Sequence, residues 1–191
     1  MQQNIINRVE PDKNYQKGLD IFVDGLASEF NSAPSRHGTT NAITMAVRQV
    51  AHLSDSKAIV VFTSSGGTAM NVAKLRPHVP IIAACENIKI ARQLALVWGV
   101  YPIIIQKPAV PFNIRVEIVK TCKLICDYGY ADPATDLLTF TAGLPWGTPG
   151  TTNLIRVTAA AGPDHWLDPE NEGMIKKFGS GIEGGDDDCS F

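Results

Sequence analysis

The stretch Thr63-Ser64-Ser65-Gly66-Gly67-Thr68 gathers hydroxyls and glycines between an apolar run and a helix-like run that stops at Pro77. Where a strand hands over to a helix, the first-turn N–H groups lack partners and the positive end of the helix dipole faces outward. Glycines let backbone approach an anion closely and hydroxyls add donors, so the chemistry expected at this corner is phosphate binding. The same residues also have a simpler use, because Ser65 or Thr68 can cap the helix. The stretch fits neither G-x-G-x-x-G nor the P-loop pattern, whose loop lysine is missing, so it is not a nucleotide fingerprint.

Other chemistry-bearing residues are dispersed. His37, His52, His78 and His165 lack metal-ligand spacing. Cys85, Cys122, Cys126 and Cys189 form no C-x-x-C pair, and a bridge between Cys122 and Cys126 along one helix is geometrically poor, so the cysteines read as small buried apolar groups. The carboxylates read as solvated-face residues, with Asp186, Asp187 and Asp188 in a glycine-rich tail. No nucleophile, acid/base pair or metal constellation stands out, so no catalytic residue and no metal ligand is assigned.

These residues need a scaffold. The chain has 191 residues, a formal net charge of -2 and 45% hydrophobic residues, which fits one globular domain and lacks the basic footprint of a nucleic-acid binder. Its apolar runs fall short of the roughly 18 to 20 residues that span a bilayer, and the first residues lack a signal-peptide core, so a soluble cytoplasmic protein is expected. Leu19, Phe22, Val23 and Leu26 share a face of a helix over Tyr15 to Phe30, and Ser32 to Gly38 reads as a loop. A second helix from Asn41 to Leu53 carries Ile43, Ala46, Val47, Val50 and Leu53 on one stripe, with Thr39, Thr40 or Asn41 as cap.

Three short apolar runs follow, Ala58 to Thr63, Val79 to Cys85 and Val100 to Ile105, alternating with helix-like segments. That is the pattern of βαβ units around a buried parallel sheet. The intervening helix from Ile88 to Trp98 puts Ala91, Leu94, Ala95 and Trp98 on its buried stripe, and Arg76-Pro77 reads as a helix stop. A helix from about Phe112 to Tyr128 buries Ile118, Cys122, Ile125 and Cys126. Strands Leu137 to Gly143 and Thr152 to Ala159 are joined by a loop too short for a crossover helix, so the last strand runs antiparallel. The expected fold is a three-layer α/β/α domain with a mostly parallel five-stranded sheet over residues 1–161, then an extended or partly disordered tail over 162–191.

The motifs then become recognisable in order. T-x-S-G-x-[ST] at Thr63 to Thr68, A-x-x-V-[AS]-[KR]-x-R-P at Ala69 to Pro77, A-R-x-L-x-L-x-x-G-V-x-P at Ala91 to Pro102, and T-A-G-x-P-x-G-x-x-G-T-T-N at Thr141 to Asn153 all occur. Together they closely resemble the C-terminal domain of pyruvate kinase, from Met1 to Ala159. Residues 1–14 resemble the end of the last barrel helix and its linker in that family.

The resemblance implies a regulatory and subunit-interface role in glycolysis, not catalysis. In the family a separate (β/α)8 barrel, with its Mg2+ and K+, turns phosphoenolpyruvate and ADP into pyruvate and ATP. Such a barrel takes about 250 residues, so no activity is expected of this chain alone and no cofactor is assigned to it. The family also implies an allosteric sugar phosphate, fructose 1,6-bisphosphate in many members. Thr63, Ser64, Ser65, Gly66, Gly67 and Thr68 would cradle one phosphate, Arg115 in "NIRVEIV" would meet the other, and the loop from Leu144 to Thr151, with Trp146 and Gly147, would close over the sugar. Many responsive members carry a basic residue in the first loop where this chain has Ser64 and Gly67, which points to lower affinity, a sugar monophosphate or AMP. Arg115 has a plainer reading as a surface arginine paired with Glu117 or solvent. The implied partners are the catalytic barrel and a second copy of the domain. The competing reading is a stand-alone homologue serving as a non-catalytic structural subunit of a larger assembly.

Overall fold

The computed structural model describes residues 2–10, 12–32, 38–106, 113–146, 148 and 150–162. The 163–191 part of the expected tail, His37 and the beginning of the sixth helix near Phe112 fall outside them, as does Gly147. Helices α1 (Gln2–Val9), α2 (Lys13–Ser32) and α3 (Gly38–Leu53) precede the sheet. The alternating part then runs β1 (Ala58–Phe62), α4 (Gly67–Lys74), β2 (Ile81–Cys85), α5 (Ile88–Leu94), β3 (Val100–Ile104), α6 (Ile114–Asp127), β4 (Leu137–Gly143) and β5 (Thr152–Ala159).

The sheet order is β3-β2-β1-β4-β5. The pairs β1–β2, β1–β4 and β2–β3 are parallel, and β5 pairs antiparallel with β4, as the short connection requires. Every residue of β1 and β2 is buried, which explains why these strands read as unbroken apolar runs rather than alternating ones. Ala58, Val60, Phe62, Ile82, Ala84, Leu138 and Phe140 face one layer, where Ile118, Cys122 and Ile125 of α6 cover them. Ile59, Val61, Ile81 and Ala83 face the other, under Val47 and Ala51 of α3, Ala69 and Val72 of α4, and Leu94 of α5.

Several helical faces differ from the periodicity. Helix α3 buries Thr40, Thr44, Val47 and Ala51, whereas Leu53 is 74% exposed. Its start at Gly38 places Thr39, Thr40 and Asn41 inside the first turn rather than at the cap. In α2, Val23 is buried but Phe22 is exposed. Helix α5 ends at Leu94, so Trp98 lies beyond it and is 37% exposed, not in the core. The guanidinium of Arg76 lies 4.3 Å from its ring centroid. Arg76 itself adopts φ 48°, a left-handed conformation just past the end of α4, and its N–H donates to Ala73 O, which confirms the helix stop.

Candidate functional site

In an open α/β sheet, ligands bind where strand carboxyl ends and helix N-termini meet. Here that place is a cleft of about 30 Å³ lined by Thr63, Ser64, Ser65 and Thr68 on one side and by Trp146, Thr148 and Gly150 to Thr152 on the other. Gly66 makes the corner possible. It is the residue before α4, at φ 85° and ψ -11°, a conformation that glycine adopts without steric cost.

The hydroxyls divide into two roles. Thr63 is buried, and its Oγ1 accepts from the Gly66 N–H at 2.9 Å, tightening the turn. Thr68 Oγ1 lies 2.7 Å from Thr152 Oγ1, tying the first turn of α4 to β5. Ser64 and Ser65 are exposed, with no side-chain partner among the described residues. The expected capping by Ser65 or Thr68 does not occur, because the cap position is held by Gly66, which has no side chain to accept from the first-turn amides. The amides of Gly67, Thr68 and Ala69 therefore keep the unpaired character of a first helical turn. Backbone donors and two serine hydroxyls facing a cleft suit a small oxyanion.

The loop opposite is held from several sides. Asn153 brackets its base: Leu144 N donates to Asn153 Oδ1 at 3.0 Å, and Asn153 Nδ2 donates to Leu144 O at 2.6 Å. Thr40 of α3 donates to Gly150 O at 3.1 Å, and Thr151 Oγ1 to Thr148 O at 2.7 Å. Gly143 is required by crowding, since a Cβ there would lie 2.7 Å from Thr151 Oγ1 and 3.1 Å from its backbone. Trp146 sets its ring edge-on to Phe62 at 5.3 Å, and its Nε1 donates to Glu86 Oε1 at 3.0 Å. Glu86 was not singled out by the sequence, and Thr40 was named there only as a candidate cap of α3. Only the T-T-N pattern hinted at Asn153.

Thus the structure brings Thr63, Ser64, Ser65, Thr68 and Trp146 around one cleft, whereas Gly66 and Gly67 make the turn between Ser65 and Thr68 without lining it. Arg115 does not line it. It is exposed in the first turn of α6, its N–H donating to the Asn113 cap at 3.0 Å, on the layer opposite α4. Glu117 is buried and bonds Lys120 Nζ at 2.9 Å.

Elsewhere, a larger groove of about 580 Å³ opens at the amino ends of β2 and β3, lined by Glu10, Gln16, Arg76, His78, Trp98 and Tyr101 among others. Size alone does not make it the better anion site, since the first turn of α2, which enters it at Tyr15 and Gln16, stands there beside the carboxylate of Glu10 and with no serine or threonine in the lining. His52 Nδ1 and His78 Nε2 lie 3.4 Å apart at its border. Among the described residues no group of three or more His, Cys, Asp or Glu side chains could hold a metal ion. Cys85 and Cys122 are buried, and burial pushes the Cys122 thiol up to about 12, which suits packing and not nucleophilic chemistry. No helix among the described residues is long and apolar enough to cross a membrane.

A mixed sheet of this order, with helices on both faces and a helix-start cleft beside the β4–β5 loop, defines an α/β domain. The family model of the pyruvate kinase alpha/beta domain matches residues 41–158, more than half of the chain, and the chain belongs to that family. Among similar proteins, pyruvate kinase 2 of Synechocystis sp. is 35% identical over 64% of this chain and 20% of its own length. Pyruvate kinase of Staphylococcus haemolyticus is 40% identical over 61% of this chain and 19% of its own, and that of Clostridium acetobutylicum 35% over 64% and 25%. The chain therefore matches a quarter or less of these relatives' lengths.

Proposed function

We propose that this chain is the regulatory and subunit-contact domain of a pyruvate kinase, and that its carboxyl-edge cleft binds the phosphate of a sugar-phosphate effector. The observation that carries the reading is the corner from Thr63 to Thr68. A left-handed glycine ahead of α4 leaves first-turn amides without helical partners beside a cleft that Ser64, Ser65 and Thr68 line, which supports anion binding. Phosphoryl transfer, with its Mg2+ and K+, belongs to a catalytic barrel acting with this domain, in the cytoplasm where the substrates are. A second copy is the natural partner, since such oligomers are built on two-fold contacts.

Arg115 enters this reading as the contact for a second phosphate, reached only by a ligand that spans from the cleft to the first turn of α6. Calorimetric titration with fructose 1,6-bisphosphate tests the site. Binding that Thr68→Ala weakens, and Arg115→Ala weakens for the bisphosphate alone, supports it. No heat at millimolar ligand favours the second reading, a structural subunit without an effector, for which the small volume of the closed cleft is the motivating observation.

A further inference from the structure

Helix α6 does not cover the whole of the sheet face in front of it. The register sets Arg156 opposite Phe140 and Leu154 opposite Ala142, so these two side chains of the edge strand β5 share the α6 face. Phe140 and Ala142 are fully buried, whereas Leu154 and Arg156 are only half-buried. On the helix side, Val119 is 40% exposed and Lys123, one turn on, is exposed. A shelf is left between α6 and β5, apolar at Val119 and Leu154, whose cations Arg156 and Lys123 have no ion-pair partner among the described residues. Thr158 faces the same way, opposite Leu138, and its Oγ1 is buried without a hydrogen-bond partner, a deficit that folded chains rarely leave.

The chain itself turns toward this shelf. Cys126 Sγ lies 3.5 Å from Ala160 O, yet a Cβ on Gly162 would stand 3.9 Å from Val119 Cγ2. Gly162, at φ 113°, donates its N–H to Ala159 O at 2.9 Å, so β5 ends in a reversal. Within two residues the contact has moved about two turns toward the amino end of α6. The sequence that follows matches the shelf in chemistry. Residues 163–172 hold Trp166 and Leu167 among the carboxylates of Asp164, Asp168, Glu170 and Glu172, with no lysine or arginine. Residues 163–191 carry eight of the chain's 19 acidic side chains but two of its 17 lysines and arginines, which leaves residues 1–162 cationic.

We propose that residues 163–172 dock on the α6–β5 shelf of their own chain, with Trp166 and Leu167 packing on Val119 and Leu154 and the carboxylates meeting Arg156 and Lys123. An indole supplies a large apolar anchor, and a half-buried arginine is well suited to hold a carboxylate. The tether makes the contact intramolecular, so a high effective concentration lets weak contacts suffice. The docked segment ties the last strand to α6 and covers a sheet edge that would otherwise stand open.

The test replaces one residue of the full chain, Trp166→p-benzoylphenylalanine, and maps the products of photo-crosslinking by mass spectrometry. The expected products are crosslinks within one chain to residues 115–123 or 154–158. Arg156→Glu and Lys123→Glu are each expected to lower their yield roughly threefold, and added salt to lower it in the parent. Circular dichroism checks the fold of each variant, and Lys123→Glu, on an exposed helix surface, carries the test if Arg156→Glu does not fold. Crosslinks to the groove around Trp98, crosslinks between two chains, or none at all would overturn the proposal, as would a yield that no folded charge variant changes.

Discussion

Thr68 Oγ1 and Thr152 Oγ1 meet at 2.7 Å, so two residues 84 positions apart join the start of α4 to the start of β5. Removing either hydroxyl strands its partner in a partly buried place. Thr68→Ala and Thr152→Val are each expected to lower stability by about 1 kcal/mol. In urea unfolding the double variant should lose less than the sum, because the second change removes a hydroxyl already without its partner. Strict additivity would mean that the contact contributes nothing.

Gly66 faces a double constraint. Its φ of 85° is unfavourable for residues with a side chain, and an added Cβ would stand 3.3 Å from Leu94 Cδ2. Gly66→Ala is therefore expected to cost about 1–2 kcal/mol and to disturb the amides ahead of α4. Thermal unfolding followed by circular dichroism reads the loss. A Tm equal to that of the parent would show the turn to be more tolerant than its geometry implies.

Ser56 and Thr139 form a buried hydroxyl pair at 2.7 Å, extended by Ser54 at 2.8 Å. Thr139→Val keeps shape but removes the partner of Ser56, with an expected cost of about 1–3 kcal/mol in chemical denaturation. Adding Ser56→Ala to that variant should recover part of the loss. A further drop of the same size would contradict the pairing.

The pH response centres on His78. Its pKa is lowered from 6.5, first by desolvation, then by His52 and Arg48, with Asp55 and Asp20 opposing. The unfolded chain then holds the proton more readily than the fold does. The stability tied to the neutral ring is present above about pH 6.5 and is lost as acidification carries the solution through the lowered folded value. The ring remains exposed to solvent, which keeps the effect modest. Comparing urea midpoints at pH 7.5 and 5.5, His78→Gln should show a smaller fall than the parent. An identical fall in both would assign the response to other groups.

The sheet was legible because β1, β2 and β4 are buried on both faces and leave continuous apolar runs, and because the short loop before β5 admits only an antiparallel return. The hydroxyl–glycine corner was legible as the handover from β1 to α4 from local chemistry, since helix-start physics needs no distant residue. Face assignments were weaker. Periodicity finds an apolar stripe but not where the helix stops, so Trp98 was placed in the core although α5 ends at Leu94. Leu53 fits the stripe of α3 yet projects past the packed part of the helix. The contacts that hold the cleft together were not legible. Glu86 with Trp146 and Thr40 with Gly150 meet across 60 and 110 residues, and nothing local in either segment announces its partner.

Helix α4 runs from the Gly66 corner to the left-handed Arg76, whose guanidinium rests on Trp98 in the groove at the other end of the sheet. Eight helical residues make a strut of about 12 Å, too short to bend appreciably, with Ala69 and Val72 clamped against the strands. The Gly66 corner and the arginine–tryptophan stack therefore lie at opposite ends of one short, firmly seated helix.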